Sequence, residues 1–102
     1  MFLEERTFQL AIHDIFMSQW DPSHVRGVPG RSGQYDPYES ITREMLRAGS
    51  NRPDMVMYLS CIESDRMGLG PLGWARRRQV RKVAKNLLNV AVPSERRAYP
   101  SR

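Results

Sequence analysis

Few side chains in this 102-residue chain are equipped for bond-making chemistry. The histidines are His13 and His24, and the thiol is Cys61. A nucleophile needs a base within hydrogen-bond reach, and a metal ion needs three or four ligands. His13 and Asp14 are neighbours on a helical segment and point about 100° apart, a poor arrangement for sharing one ion. Cys61 adjoins Ile62 and is expected to behave as a small buried hydrophobe. The run Gly27-Val28-Pro29-Gly30-Arg31-Ser32-Gly33 has the glycine content of a phosphate loop. It lacks the Gly-Lys-Ser/Thr ending and follows a helix rather than a strand, so that reading is rejected. These residues are given structural roles. No catalytic residue, metal ligand or cofactor is expected, and the chain is read as acting by binding rather than as an enzyme.

Two constellations suit binding. The first is basic: Arg76, Arg77, Arg78, Arg81, Lys82 and Lys85 fall within ten residues, with no acid between them. The whole chain carries +5, but residues 1–73 hold seven Arg against ten Asp or Glu, a balance of −3. Residues 74–102 hold nine Arg or Lys against one Glu, a balance of +8. On a helix, Arg78, Arg81, Lys82 and Lys85 lie opposite the apolar stripe Val80, Val83, Ala84, Leu87 and Leu88. Cations on one face can pair with phosphates, with counterion release driving association. The polyanion site on this reading is Arg77, Arg78, Arg81, Lys82 and Lys85. The alternative is a solvated outer face paired with acids elsewhere in the chain. No aromatics are interleaved for stacking on single strands, and the break before this segment is longer than a helix-turn-helix uses. Trp74 and the stripe make the segment amphipathic, but the core needs the stripe, so no membrane partner is expected.

The second constellation brackets a long irregular stretch. Trp20-Asp21-Pro22 opens it and Tyr35-Asp36-Pro37-Tyr38 closes it. Sixteen residues without periodicity are too many for a simple connector. Trp, Tyr and Arg are the residues that anchor protein interfaces. The partner-binding set on this reading is Trp20, Asp21, Arg26, Arg31, Tyr35, Asp36 and Tyr38. The structural alternative has Asp21 and Asp36 capping helices while the rings pin the loop to the core.

Four helical segments must position these groups. Phe8, Ala11, Ile12, Ile15 and Phe16 repeat at helical spacing over about 3–17. Asp36, Pro37 and Glu39 read as a helix start, Tyr38, Ile41, Met45 and Leu46 as its apolar face, and Gly49 as its left-handed end. A third helix begins near Asn51 and carries Met55, Leu59 and Ile62. The fourth spans about 74–90. Hydrophobic residues make up 40% of the chain and charged residues 26%, which is ordinary for one globular domain. One cysteine allows no internal disulfide, which fits a reducing compartment. The opening Met1-Phe2-Leu3-Glu4-Glu5-Arg6 has no basic region followed by an apolar run, so no signal peptide is expected. A cytoplasmic location is the expectation.

The series Trp20-Asp21-Pro22, Val25, Tyr35-Asp36-Pro37-Tyr38, Leu59-Ser60-Cys61-Ile62-Glu63 and Met67-Gly68 resembles a family of small bacterial helical domains of unknown function. That family has Trp-Asp-Pro-x-x-Val and Glu-Tyr-Asp-x-Tyr motifs, and the resemblance covers roughly residues 8–90. The chain departs from it at Gln34, at Pro37 and in the arginine density of the last helix. The family carries no established activity; its size and lack of catalytic groups are similar to those of the immunity proteins of bacterial toxin systems, which work by binding. The expected molecule is therefore all-α, one compact domain of about four helices over 1–92. It has a long irregular loop between helices 1 and 2, and a loose tail over 93–102. Its expected partner is another protein, with nucleic acid or another polyanion as the alternative.

Overall fold

A computed structural model describes residues 2–68 and 70–93. The architecture is all-α, with no strand among the described residues. Helix α1 runs Phe2–Ile15 and passes directly into a π-helical turn, Phe16–Trp20. After the loop come α2 (Asp36–Arg47), α3 (Arg52–Cys61) with its own π-helical turn Ile62–Arg66, and α4 (Trp74–Leu88). The expected tail beyond Pro93 lies outside the described residues. Among the described residues no helix is long and apolar enough to cross a membrane.

The two π turns are built alike. Each closes with a backbone bond five residues back, Asp21 N–H to the Phe16 carbonyl and Met67 N–H to the Ile62 carbonyl, both 2.8 Å. Each carries a serine that donates to a carbonyl four residues earlier: Ser18 to Asp14, and Ser64 to Ser60. Such serine bonds bend helices and serve carbonyls that the widened turn leaves short of a donor.

Capping explains where α2 and α3 stop and start. Gly49 at φ +82° ends α2, with Ser50 N–H bonded to Met45 and Gly49 N–H to Leu46. That is a Schellman closure, which glycine adopts without a Cβ penalty. Asn51 then caps α3, its side-chain oxygen accepting from Asp54 N–H at 2.9 Å. At α2 the cap position belongs to Tyr35, which makes no side-chain cap bond. Asp36 is instead the first residue inside the helix, a correction to its expected capping role.

The core combines Phe8, Ile12, Ile15, Phe16 and Trp20 with Met55, Leu59, Ile62, Val80, Val83, Ala84 and Leu87. Helix α3 packs along α4, and α1 packs against both α2 and α4. The stripes of α1 and α4 therefore face inward as expected. The inward face of α2 differs. Glu39, Thr42 and Leu46 are buried, while Ile41 is 44% exposed. Tyr35, Glu39, Thr42 and Leu46 follow 3–4 residue spacing, so the face is real but half polar. Its polar members are satisfied: Thr42 donates to the Tyr38 carbonyl at 2.9 Å, and Glu39 meets His13. Cys61 is exposed rather than buried, because it lies on the side of α3 away from Leu59 and Ile62.

Leu87 is fully buried on the α4 stripe. Leu87→Ala should lower unfolding free energy by ~2–5 kcal/mol in urea denaturation, the range for truncating a packed core leucine.

Candidate functional site

The loop between α1 and α2 is fixed at its base and exposed at its tip. Asp21 sits at φ 30°, in the left-handed region that aspartate tolerates better than most residues. There its carboxylate accepts from Val25 N–H at 2.8 Å, Arg26 N–H at 3.0 Å and the Tyr35 hydroxyl at 2.7 Å. The Tyr35 hydroxyl in turn accepts from Ser23 N–H at 3.0 Å. Burial pushes the Asp21 carboxyl up, but the three hydrogen bonds outweigh it and leave the group below its ordinary 3.8. Burial and the same bond push Tyr35 up to about 12. Beyond this latch the backbone folds as successive tight turns, Val28 to Val25, Arg31 to Val28 and Gln34 to Arg31, at 2.9–3.2 Å.

This geometry separates the seven residues expected at a partner surface. Trp20 and Tyr35 are 2% and 0% exposed and pack with Phe16 edge-to-face or tilted, at centroid distances of 5.0–6.2 Å. They are core residues, because their rings have no open face to offer a partner. Asp21 is consumed by the latch. Tyr38 is half-buried, and its carbonyl accepts from the Tyr58 hydroxyl at 3.1 Å. Arg26, Arg31 and Asp36 are exposed. The two arginines make only local bonds, to the Ser18 carbonyl and to Gln34.

Sequence reasoning missed a buried ionic clamp. Glu63 is 2% exposed, and its carboxylate receives the Trp20 indole N–H at 2.6 Å. Arg76 reaches it with two nitrogens, Nη2 at 2.7 Å and Nε at 3.3 Å. Both Trp20 and Glu63 lie in π turns, so the widened turns aim these side chains at each other. The available signal was a lone arginine on the otherwise unpaired basic helix that falls toward the core side.

A second polar contact joins α1 to α2. His13 Nδ1 lies 2.9 Å from Glu39, which is 4% exposed and held above its ordinary 4.5 by burial, against the lowering effect of His13. With the exposed Asp36, ligand-type atoms of these three residues lie within 4.8 Å of one another. Among the described residues they are the group with donors suited to a cation, and their geometry is equally that of a helix tie.

The other basic residues of the α4 cluster face solvent. Arg77, Arg78, Arg81, Lys82 and Lys85 are all exposed, and among the described residues none is ion-paired. The face is solvated, as the alternative reading has it, but of the cluster only Arg76 is paired with an acid among the described residues. Trp74, the first residue of α4, is 74% exposed, with the Arg78 guanidinium 5.7 Å from its ring centroid. Trp74, Arg77, Arg78 and Arg81 line a shallow concavity.

Two outcomes follow. Asp21→Ala should cost roughly 2–5 kcal/mol, since it orphans two backbone donors and a buried hydroxyl and forces alanine into left-handed geometry. Asp21→Asn keeps the size, removes the charge and replaces one of the two acceptor oxygens with an NH2 donor, so it loses at least one of the three bonds. Because the folded Asp21 pKa is depressed, its contribution is present above 3.8 and lost as pH falls through the folded value. The stability advantage of wild type over Asp21→Asn should shrink below that pH in acid titration. Separately, Arg76→Ala should lower stability by roughly 2–4 kcal/mol, because Glu63 keeps one partner in a buried site. Arg81→Ala should stay within about 0.5 kcal/mol.

A scan against protein-family models, a search of curated proteins and a search of solved structures each find no match to this chain.

Proposed function

We propose that the chain is a non-enzymatic binding protein whose α4 outer face engages a phosphate-bearing polymer. The supporting observation is that Arg77, Arg78, Arg81, Lys82 and Lys85 stand exposed together, without an acid paired to any of them among the described residues. Five like charges on one face raise the local potential, and their mutual repulsion is relieved when a polyanion neutralises them. From Arg77 to Lys85 the helix rises about 12 Å, comparable with three to four base-pair steps of a duplex. The clamp through Arg76 supports the same reading: it helps fix the rotation of the packed α4, so that the other five cations face outward together.

A protein partner of the immunity or antitoxin kind is the second reading. The feature that favours it is the exposed tip, where Arg26, Val28 and Arg31 project from a latched base. It has lost Trp20 and Tyr35 as anchors, so it ranks behind α4. The exposed free thiol of Cys61 suits a cytoplasmic location.

Fluorescence anisotropy with a labelled oligonucleotide across a salt series tests the first reading. The Kd should be on the order of 10⁻⁴–10⁻⁶ M at physiological salt, with a log–log slope near −0.9 per phosphate neutralised on duplex DNA. The combined Arg78→Glu, Arg81→Glu and Lys85→Glu variant should lose binding and keep its helical circular-dichroism spectrum. Binding that ignores both salt and charge reversal would remove α4 as the site.

A further inference from the structure

Trp74 is an aromatic side chain that the fold does not use. It is absent from the buried cluster and from the residues packed against it. Among the described residues the other exposed large hydrophobics are Leu10, Val28, Ile41 and Met57, none of them aromatic and none as exposed. Its position is also particular. Arg78, one helical turn on, places its guanidinium over the ring at 5.7 Å. Arg77 and Arg81 complete the concavity around it.

A flat ring beside several guanidinium groups matches one chemistry closely. Nucleobases stack on aromatic faces, while arginines take the phosphates on either side. In a duplex the base faces are already stacked on one another, so the ring would find nothing to cover. A membrane interface would also accept a tryptophan beside cations, but it calls for aliphatic groups beside the ring. The walls of this concavity are three arginines.

We infer that the α4 face is a single-strand nucleic-acid site, in which an unpaired base stacks on Trp74 and the flanking phosphates are held by Arg77, Arg78 and Arg81. This rests on the polyanion reading of the same face and adds to it the choice of single strand over duplex. Sequence selectivity is not expected, because every base has a π-face and no buried donor or acceptor reads its edge.

The chain's own tryptophans report the answer. Trp20 is 2% exposed and hydrogen-bonded to Glu63, whereas Trp74 is 74% exposed, so the long-wavelength emission belongs to Trp74. The full chain is titrated with a thirty-nucleotide oligothymidylate, with a GC-rich fifteen-base-pair duplex of near-equal phosphate count, and with vesicles of phosphatidylserine in phosphatidylcholine. The single strand should quench the long-wavelength emission, and the duplex should bind with little quenching. Trp74→Ala should weaken single-strand binding roughly 5- to 100-fold, the range for losing one stacked base. It should leave duplex affinity and the salt slope unchanged, while Trp74→Phe restores most of the loss. If Trp74→Ala binds both polymers as well as wild type, the stacking inference fails and the polyanion reading stands. A blue shift with vesicles but no response to either polymer overturns both in favour of a membrane surface. Absence of any response overturns both as well.

Discussion

The Glu63 carboxylate organises this fold. Removing an ionised carboxylate from water costs several kcal/mol, and the cost is offset only when its oxygens are met by well-placed donors. Here those donors come from two distant stretches: the Trp20 indole at the end of the first helical unit, and the Arg76 guanidinium in the first turn of α4. Satisfying one buried charge thus fixes three segments in a common register. It also sets the rotation of α4 about its axis. With Arg76 turned toward Glu63, Val80, Val83, Ala84 and Leu87 face the core, and the other cations of the cluster have nowhere to go but solvent.

The Asp21 latch does for the loop what Glu63 does for the helices. One side chain in left-handed geometry gathers two backbone donors and a phenol, and the Tyr35 ring then stacks against Phe16 and Trp20. The latch and the clamp share a boundary, since Trp20 belongs to the clamp and Asp21 follows it directly. Loop base and helix packing are therefore coupled. The exposed tip over 26–34 is held by its turn hydrogen bonds, by Arg26 bonds to Asp21 and the Ser18 carbonyl, and by the Arg31–Gln34 side-chain bond.

Much of the architecture could be read from apolar spacing. The stripes of α1, α3 and α4, the glycine at the end of α2 and the asparagine opening α3 all announce themselves through local chemistry. The misreadings concern side chains whose surroundings are set by tertiary packing. On α2, Tyr38, Met45 and Leu46 pack on the core as expected, but Ile41 is exposed and Glu39 and Thr42 are buried, because His13 and the Tyr38 carbonyl meet their polar groups. Trp20 and Tyr35 carry the composition of an interface, and only the tertiary stack turns them inward. Arg76 is indistinguishable by type from Arg77 and Arg78; Glu63, thirteen residues earlier, sets it apart. The significance of Trp74 lies in what fails to cover it, which no periodicity reveals.

The two π turns give the chain an unusual relation to its own length. A π turn holds one residue more than an α turn would, so each turn stores a single extra residue inside an otherwise continuous helix. Losing that residue would let the segment revert to regular α geometry while everything beyond it keeps nearly its present phase, because the surplus is already absorbed within one turn. A one-residue deletion in the regular part of α1, α3 or α4 has no such reserve and would rotate the stripe beyond it by about 100°, out of the core. Deleting one outward-facing residue of a π turn, such as Ser18 or Asp65, is thus a milder change than the same deletion a turn or two away. At these two points the chain can change length by one without losing the register of its helices.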